Sequence, residues 1–394
     1  MKQGPSSLLI LFSVVVLDLI GFGIVVPILP FYAEKYGANA TVLGLLLMSY
    51  AAMQFLFSPL WGRLSDRIGR KKVLLLTMAG SVFGLLVLGL ANSLVLLFAG
   101  RILSGIFGAN ISVASAYVTD VTTAENRAKG MGMIGAAFGI GFILGPALGG
   151  ALSVYGYHVP ILTAAGLSAV NVVYALFRLG ESESRRGNGR GGGMRAVLRI
   201  PLVQRLCAIN FLFTLGVNQL ESIFAFFMAD RFRYDAQHVA YILALMALIM
   251  VAIQGGLIKR LVMRFGEKRL LTVGSVCLSA AFVLIPESPS VALLLIPLAV
   301  SSVGRGISQP SLMSLVSRGG DDSLHGSVMG TFQASASLAR VAGPVLAGVL
   351  YDRNPAFPFF LACGLLGAVF LLSLNIPVRD AKQSAREPLP AEVL

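Results

Sequence analysis

Along this chain, runs of about twenty apolar residues alternate with short polar or charged breaks from one end to the other. Wound as a helix, a run of that length crosses the ~30 Å hydrocarbon core of a bilayer. Twelve runs are present, near residues 7–32, 42–61, 73–91, 93–119, 128–153, 158–178, 203–229, 237–258, 270–286, 290–316, 325–351 and 356–377. The pattern predicts an all-α membrane protein with twelve transmembrane helices. The first run is too long for the apolar core of a cleaved leader and continues into Pro27 and Pro30, so it reads as a span. Hydrophobic residues make up 56% of the chain and mean hydropathy is +0.82, which excludes an ordinary soluble domain.

Charge changes the picture by where it lies. The net +13 could suggest nucleic acid. Segments 63–72, 178–205 and 259–269 carry +4, +5 and +4, however, which accounts for all of it. Each follows an even number of spans, so all three lie on one side of the membrane. By the positive-inside rule that side is cytoplasmic, with both termini, and the expected location is a bacterial-type inner membrane. The basic balance sets topology and gives no reason to expect a nucleic-acid partner. Cys207, Cys277 and Cys363 all fall inside apolar runs without CxxC spacing, so no metal, cofactor or disulfide is expected.

The Gly/Arg-rich stretch 181–200 divides the spans six and six. It implies a first half at 1–180, a second at 201–380 and a tail at 381–394. The halves repeat each other. Gly145-Pro146 recurs as Gly343-Pro344 and Gly132 as Gly330, both 198 residues on. Ile68-Gly69-Arg70-Lys71 recurs as Phe265-Gly266-Glu267-Lys268 at an offset of 197, with Met263 where Asp66 stands. Two pseudo-symmetric six-helix halves suit a carrier whose midplane site opens alternately to each side.

Five segments carry a family likeness. They are Leu17-Asp18-Leu19-Ile20-Gly21-Phe22-Gly23 with Pro27 and Pro30; the charged island 62–72; Arg101-Ile102-Leu103-Ser104-Gly105; Ala116-Tyr117-Val118-Thr119-Asp120; and Gly141, Gly145-Pro146 and Gly149-Gly150. On these the chain resembles the twelve-spanning drug/proton antiporters of the major facilitator superfamily, in particular the tetracycline-exporter branch. The likeness implies the major facilitator fold, proton-coupled export of amphipathic small molecules, and a role for Arg101 in proton transfer. Members of that branch also resemble one another in an acid in the third span, a histidine in the eighth and an acid in the ninth. Runs 73–91 and 270–286 hold no acid and His238 sits near a loop, which argues against tetracycline itself.

The residues suggest chemistry of their own. Asp18 lies about 16 Å into the first run, near the bilayer centre, where a carboxylate must be paired, neutralised or wet. It is a candidate proton carrier or, alternatively, a structural partner for Arg101, the deepest base of the first half. Glu221 is the carboxylate deepest in the second half, flanked by Asn218 and Gln219 and followed by Phe224, Phe226 and Phe227. That group suits a cationic or amphipathic guest, a proton, or a polar contact between helices. Arg305 and Arg340 could hold an anionic group or pair with Glu221. Phe22, Tyr50, Gln54, Asn110, Gln309 and Gln333 are candidates for the cavity wall.

Gly62, Asp66, Gly69, Arg70 and Asp120 form a candidate gate, with an Asp120–Arg70 pair expected on the cytoplasmic side; the alternative is that these charges only set topology. Gly145, Pro146 and Gly149 are expected to form a close seam between the halves. A lipid or lysolipid carrier of the same fold is the second reading. An enzyme is not expected, because no HExxH motif or cysteine–histidine set appears and His158, His238 and His325 lie near loops. The expected partners are a small amphipathic substrate, protons and the bilayer, and nothing suggests an oligomer.

Overall fold

The computed structural model describes residues 5–122, 124–181, 200–317 and 325–376. Most of stretch 181–200 and all of the tail 381–394 lie outside these residues. Helix dominates, and twelve spans are long and apolar enough to cross a membrane. In order they are Leu8–Glu34, Ala40–Ile68, Arg70–Gly89, Leu94–Val121, Gly130–Ser153 and His158–Arg178, then Pro201–Phe232, Ala236–Phe265, Glu267–Glu287, Val291–Ser317, Ser327–Arg353 and Phe357–Leu374.

Three details depart from the apolar pattern. Island 62–72 is not a loop: helix runs to Ile68 and resumes at Arg70, with Gly69 alone making the turn. Hydropathy marks what lies in hydrocarbon, whereas the helix continues into the headgroup layer. The fourth span is two helices, Leu94–Ile106 and Asn110–Val121, interrupted at residues 107–109. The eighth passes through a π-helical segment, Ile253–Leu257, before the basic, amphipathic end Ile258–Phe265.

The repeat seen in sequence is also a repeat of backbone. Gly69 (φ 108°) and Gly266 (φ 77°) each occupy a left-handed conformation between two helices, where a side chain would be strained. At Gly69 a Cβ would also meet the Glu181 carboxylate at 2.7 Å. That carboxylate accepts the Lys71 N–H at 3.0 Å, capping the third span.

Small residues set the helix packing, but not where the sequence placed it. Gly141, Gly145 and Gly149 recur every four residues and share one helix face. That face turns toward the first span, within the same half. A Cβ on Gly145 would lie 2.6 Å from Gly23 Cα, and one on Gly149 2.7 Å from Ile24 O. The expected seam between halves is therefore a seam inside the first half. Gly343 repeats the arrangement in the second half, against Asn218 of the seventh span.

The halves meet through two other pairs. Gly150 abuts Ala240 and Gln237, joining the fifth and eighth spans, and Gly44 abuts Pro344, joining the second and eleventh. Both contacts lie toward the end bearing loops 35–39, 154–157, 233–235 and 354–356. One apolar core, including Ile24, Leu43, Phe224 and Phe359, unites the halves there and fills the second half. A separate core, around Leu11, Val73, Val113 and Tyr117, occupies the opposite end of the first half.

Candidate functional site

At the sealed end, the start of the second span is capped from the other half. The first N–H groups of a helix have no partner within it. Here Asp352, at the end of the eleventh span, accepts from Ala40 N at 3.1 Å, Thr41 N at 2.9 Å and Thr41 Oγ1 at 2.5 Å. Asn39 accepts from Val42 N through its side chain and from Leu43 N through its carbonyl. The N–H groups of Ala40, Thr41 and Val42 are thus all satisfied, two of them across the halves. Sequence reading missed Asp352, because nothing near it in the chain indicates which helix start it reaches.

At the opposite end the expected Arg70–Asp120 pair forms, Nε to Oδ2 at 2.8 Å, with both side chains about nine-tenths buried. Arg70 also reaches Asp66 at 2.6 Å and donates to Ser65 Oγ at 2.6 Å. All of these belong to the first half. Gly62 sits within the second span with open space beside it, so no close approach requires a glycine there.

The midplane holds the remaining candidates. Asp18 accepts from Asn110 Nδ2 at 2.8 Å, beside a small void lined by Val14, Leu74, Met78 and Ala114. Arg101 does not pair with Asp18. Its guanidinium lies over the Tyr50 ring, 4.3 Å from the centroid, and its buried Nε has no hydrogen-bond partner. A cation over an aromatic face gains attraction but no acceptor. Depth in the membrane had suggested Asp18 as the partner, but helix rotation decides the matter, and Asn110 lies nearer Asp18.

Tyr50 belongs to a group drawn from several spans. Its ring is 5.9 Å from that of Phe22, which is 6.3 Å from Phe142. Its hydroxyl accepts from Gln54 Nε2 at 3.3 Å, and Gln54 also donates to Gly108 O at 2.6 Å in the fourth-span break. Trp61 Nε1 donates to Ile106 O at 2.6 Å. The broken helix thus has carbonyls satisfied by side chains of the second span, as irregular backbone at membrane depth requires.

In the second half Arg305 pairs with Glu221, joining the tenth and seventh spans. The two side chains are 33% and 44% exposed in the middle of their helices, so they are not enclosed in packed protein. Arg340, on the eleventh span, is exposed and interacts electrostatically with Glu221, Arg305 and, across the halves, Tyr50. Gln309 and Gln333 are exposed as well.

Other candidates are placed differently. Asn218 donates to Ala339 O and Gln219 to Gly343 O, both at 3.4 Å, in the packed seam of the seventh and eleventh spans. Phe226 is buried in the apolar core. Asn218, Gln219 and Phe226 therefore line no opening in this conformation. The amides sit there because small Ala339 and Gly343 bring backbone carbonyls within reach.

Comparison with known proteins gives a consistent picture. The chain matches the Major Facilitator Superfamily over residues 11–339 and 256–393. It is 31% identical over 391 residues to Tetracycline resistance protein, class C, of Escherichia coli, covering 96% of this chain and 98% of that one. It is 28% identical over 390 residues to Multidrug resistance protein 2 of Bacillus subtilis (strain 168), covering 95% of each. Among solved structures it resembles the human organic anion transporter MFSD10 (TETRAN), with a TM-score of 0.74 and 27% identity over 94% of this chain and 100% of that one.

Proposed function

Because this chain belongs to the Major Facilitator Superfamily, we propose that it is a proton-coupled exporter of amphipathic small molecules, working by alternating access in the inner membrane. It is a multi-pass membrane transporter and not an enzyme. Relatives named for tetracycline and multidrug resistance support export as the direction of transport. Segments 63–72, 178–205 and 259–269 carry the basic excess, 63–72 and 259–269 lie at the end away from Asp352, and the positive-inside rule assigns that end to the cytoplasm. The sealed end then faces outward, and this conformation is the inward-facing carrier.

The observation that carries the proposal is the Glu221–Arg305 pair, partly exposed at mid-span beside Arg340. Ionisable groups at membrane depth face a cavity and mark pathways for protons or cargo. While Glu221 is charged it holds Arg305. A proton arriving from outside neutralises Glu221, releases Arg305 and raises the charge at the midplane by one. An elementary charge moving through the membrane field is worth about 2.3 kcal/mol per 100 mV, enough to bias the equilibrium between the two faces. Asp18, held by Asn110, is the second proton position.

The test uses purified full-length protein in proteoliposomes with an imposed pH gradient. Glu221→Gln abolishes gradient-driven accumulation but leaves exchange down a substrate gradient. If neither Glu221→Gln nor Asp18→Asn alters gradient-driven transport, the coupling assignment is wrong.

A further inference from the structure

We propose that the cargo bears an anionic group, and that this group is held where the halves face each other, by Arg340 from one side and by Arg101 with the Tyr50 hydroxyl from the other. The inference deepens the exporter reading by naming a substrate class, and it rests on that reading only for movement of the cargo, not for its binding.

Formal charge comes first. Five ionisable groups occupy the middles of the spans: Arg101, Arg305 and Arg340 against Asp18 and Glu221. Three positive and two negative leave +1. The pairing concentrates this excess. Glu221 is committed to Arg305, and Asp18 accepts from the neutral Asn110. Arg101 and Arg340 have neither ion pair nor hydrogen bond among the described residues.

An unpaired guanidinium at membrane depth is costly unless something neutralises it. Arg101 is only 7% exposed, and its Nε is buried without an acceptor. Its one close neighbour with charge complementarity is the face of the Tyr50 ring. Arg340 is exposed.

Tyr50 lies within reach of both cations, since it interacts electrostatically with Arg101 and Arg340; it also interacts with the Asp18 carboxylate, against which a bound anion competes. Its hydroxyl oxygen is taken as an acceptor by Gln54, while its own O–H has no acceptor among the described residues. A carboxylate, sulfonate or phosphate beside Tyr50 would accept that proton and lie between two cations from opposite halves. Phe22 and Phe142 offer ring surface for the rest of an amphipathic molecule.

The charges also fit the direction of transport. A monovalent anion brings the midplane to neutrality, whereas a proton takes it from +1 to +2. The neutral, anion-loaded carrier moves outward without opposing the inside-negative potential, and the charged, proton-loaded carrier is drawn back.

The experiment compares three probes that share one fluorophore: dansylglycine (anionic), dansylamide (neutral) and dansylcadaverine (cationic). Binding to full-length protein is titrated by fluorescence, and pH-gradient-driven transport is measured in proteoliposomes. Wild type binds dansylglycine most tightly. Arg340→Ala weakens that binding roughly ten- to a hundredfold, the range for losing a charge-assisted contact. Arg340→Lys restores part of it, and Tyr50→Phe weakens it less than Arg340→Ala.

Preference for dansylcadaverine, an Arg340→Ala variant that binds dansylglycine as wild type does, or binding of none of the three overturns the inference. Transport of dansylcadaverine but not dansylglycine also overturns it and leaves the exporter reading standing. Arg340-dependent dansylglycine binding without gradient-driven movement supports it and removes the exporter reading instead.

Discussion

Replacing Asp352 by alanine shifts this protein toward a conformation open at the end now sealed. Three hydrogen bonds leave with the carboxylate: those from Ala40 N, Thr41 N and Thr41 Oγ1. Two of them are exposed, so water replaces part of what is lost, and the value for each charge-assisted bond in a dry site overstates the effect. Loss of a helix N-cap is the better guide, at about 1–2 kcal/mol. Because the cap joins the halves only in the sealed state, its whole value enters the equilibrium between states. At 1.4 kcal/mol per factor of ten, the open-to-sealed ratio rises roughly 5- to 30-fold. Spin labels on Asn92 and Glu287, exposed at this end on opposite halves, report the change in a variant lacking Cys207, Cys277 and Cys363. The distance distribution broadens toward longer values in Asp352→Ala and moves about half as far in Asp352→Asn, which keeps one acceptor oxygen. Distributions that match wild type in both variants would refute the latch.

Two more outcomes follow from the packing. Gly44→Ala drives a methyl into Pro344 O across the halves, where no side chain can yield, so the same labels separate further and gradient-driven export falls. Asp120→Ala leaves Arg70, with its side chain 10% exposed, without its buried carboxylate. Thermal unfolding in detergent shows a loss of about 3 kcal/mol, at the low end for breaking a buried pair because Asp66 remains; unchanged stability would show that the pair is not a structural anchor.

Much of the fold could be read from the chain because the bilayer is a solvent that selects sequences strongly. Every span was visible as an apolar run, and Gly69 and Gly266, matched as a repeat in the sequence, both prove to have positive φ between two helices. Helix ends were less legible, since the charged Arg63, Asp66 and Arg67 remain helical. For the candidate residues the helix was legible but the azimuth was not. Asp18, Arg101, Glu221, Arg305 and Arg340 all lie within helices that the apolar runs predicted. Which of them touch depends on rotation about each helix axis, at about 100° per residue, and a single chain gives little information on that. So Arg101 was assigned to Asp18 and found on Tyr50, and Asn218 and Gln219 were assigned to a cavity and found in a seam.

The interruption in the fourth span constrains how the first half can move. Gly108 O and Ile106 O are free because the helix stops, and they are held by Gln54 and Trp61. Sliding the second span along the fourth would strand two carbonyls in oil, so these helices travel as one stiff plate. Whatever bends during the cycle must bend elsewhere. The π-helical turn at Ile253–Leu257, where Gly255 and Gly256 have empty space beside them, is a place on the facing side with room to bend.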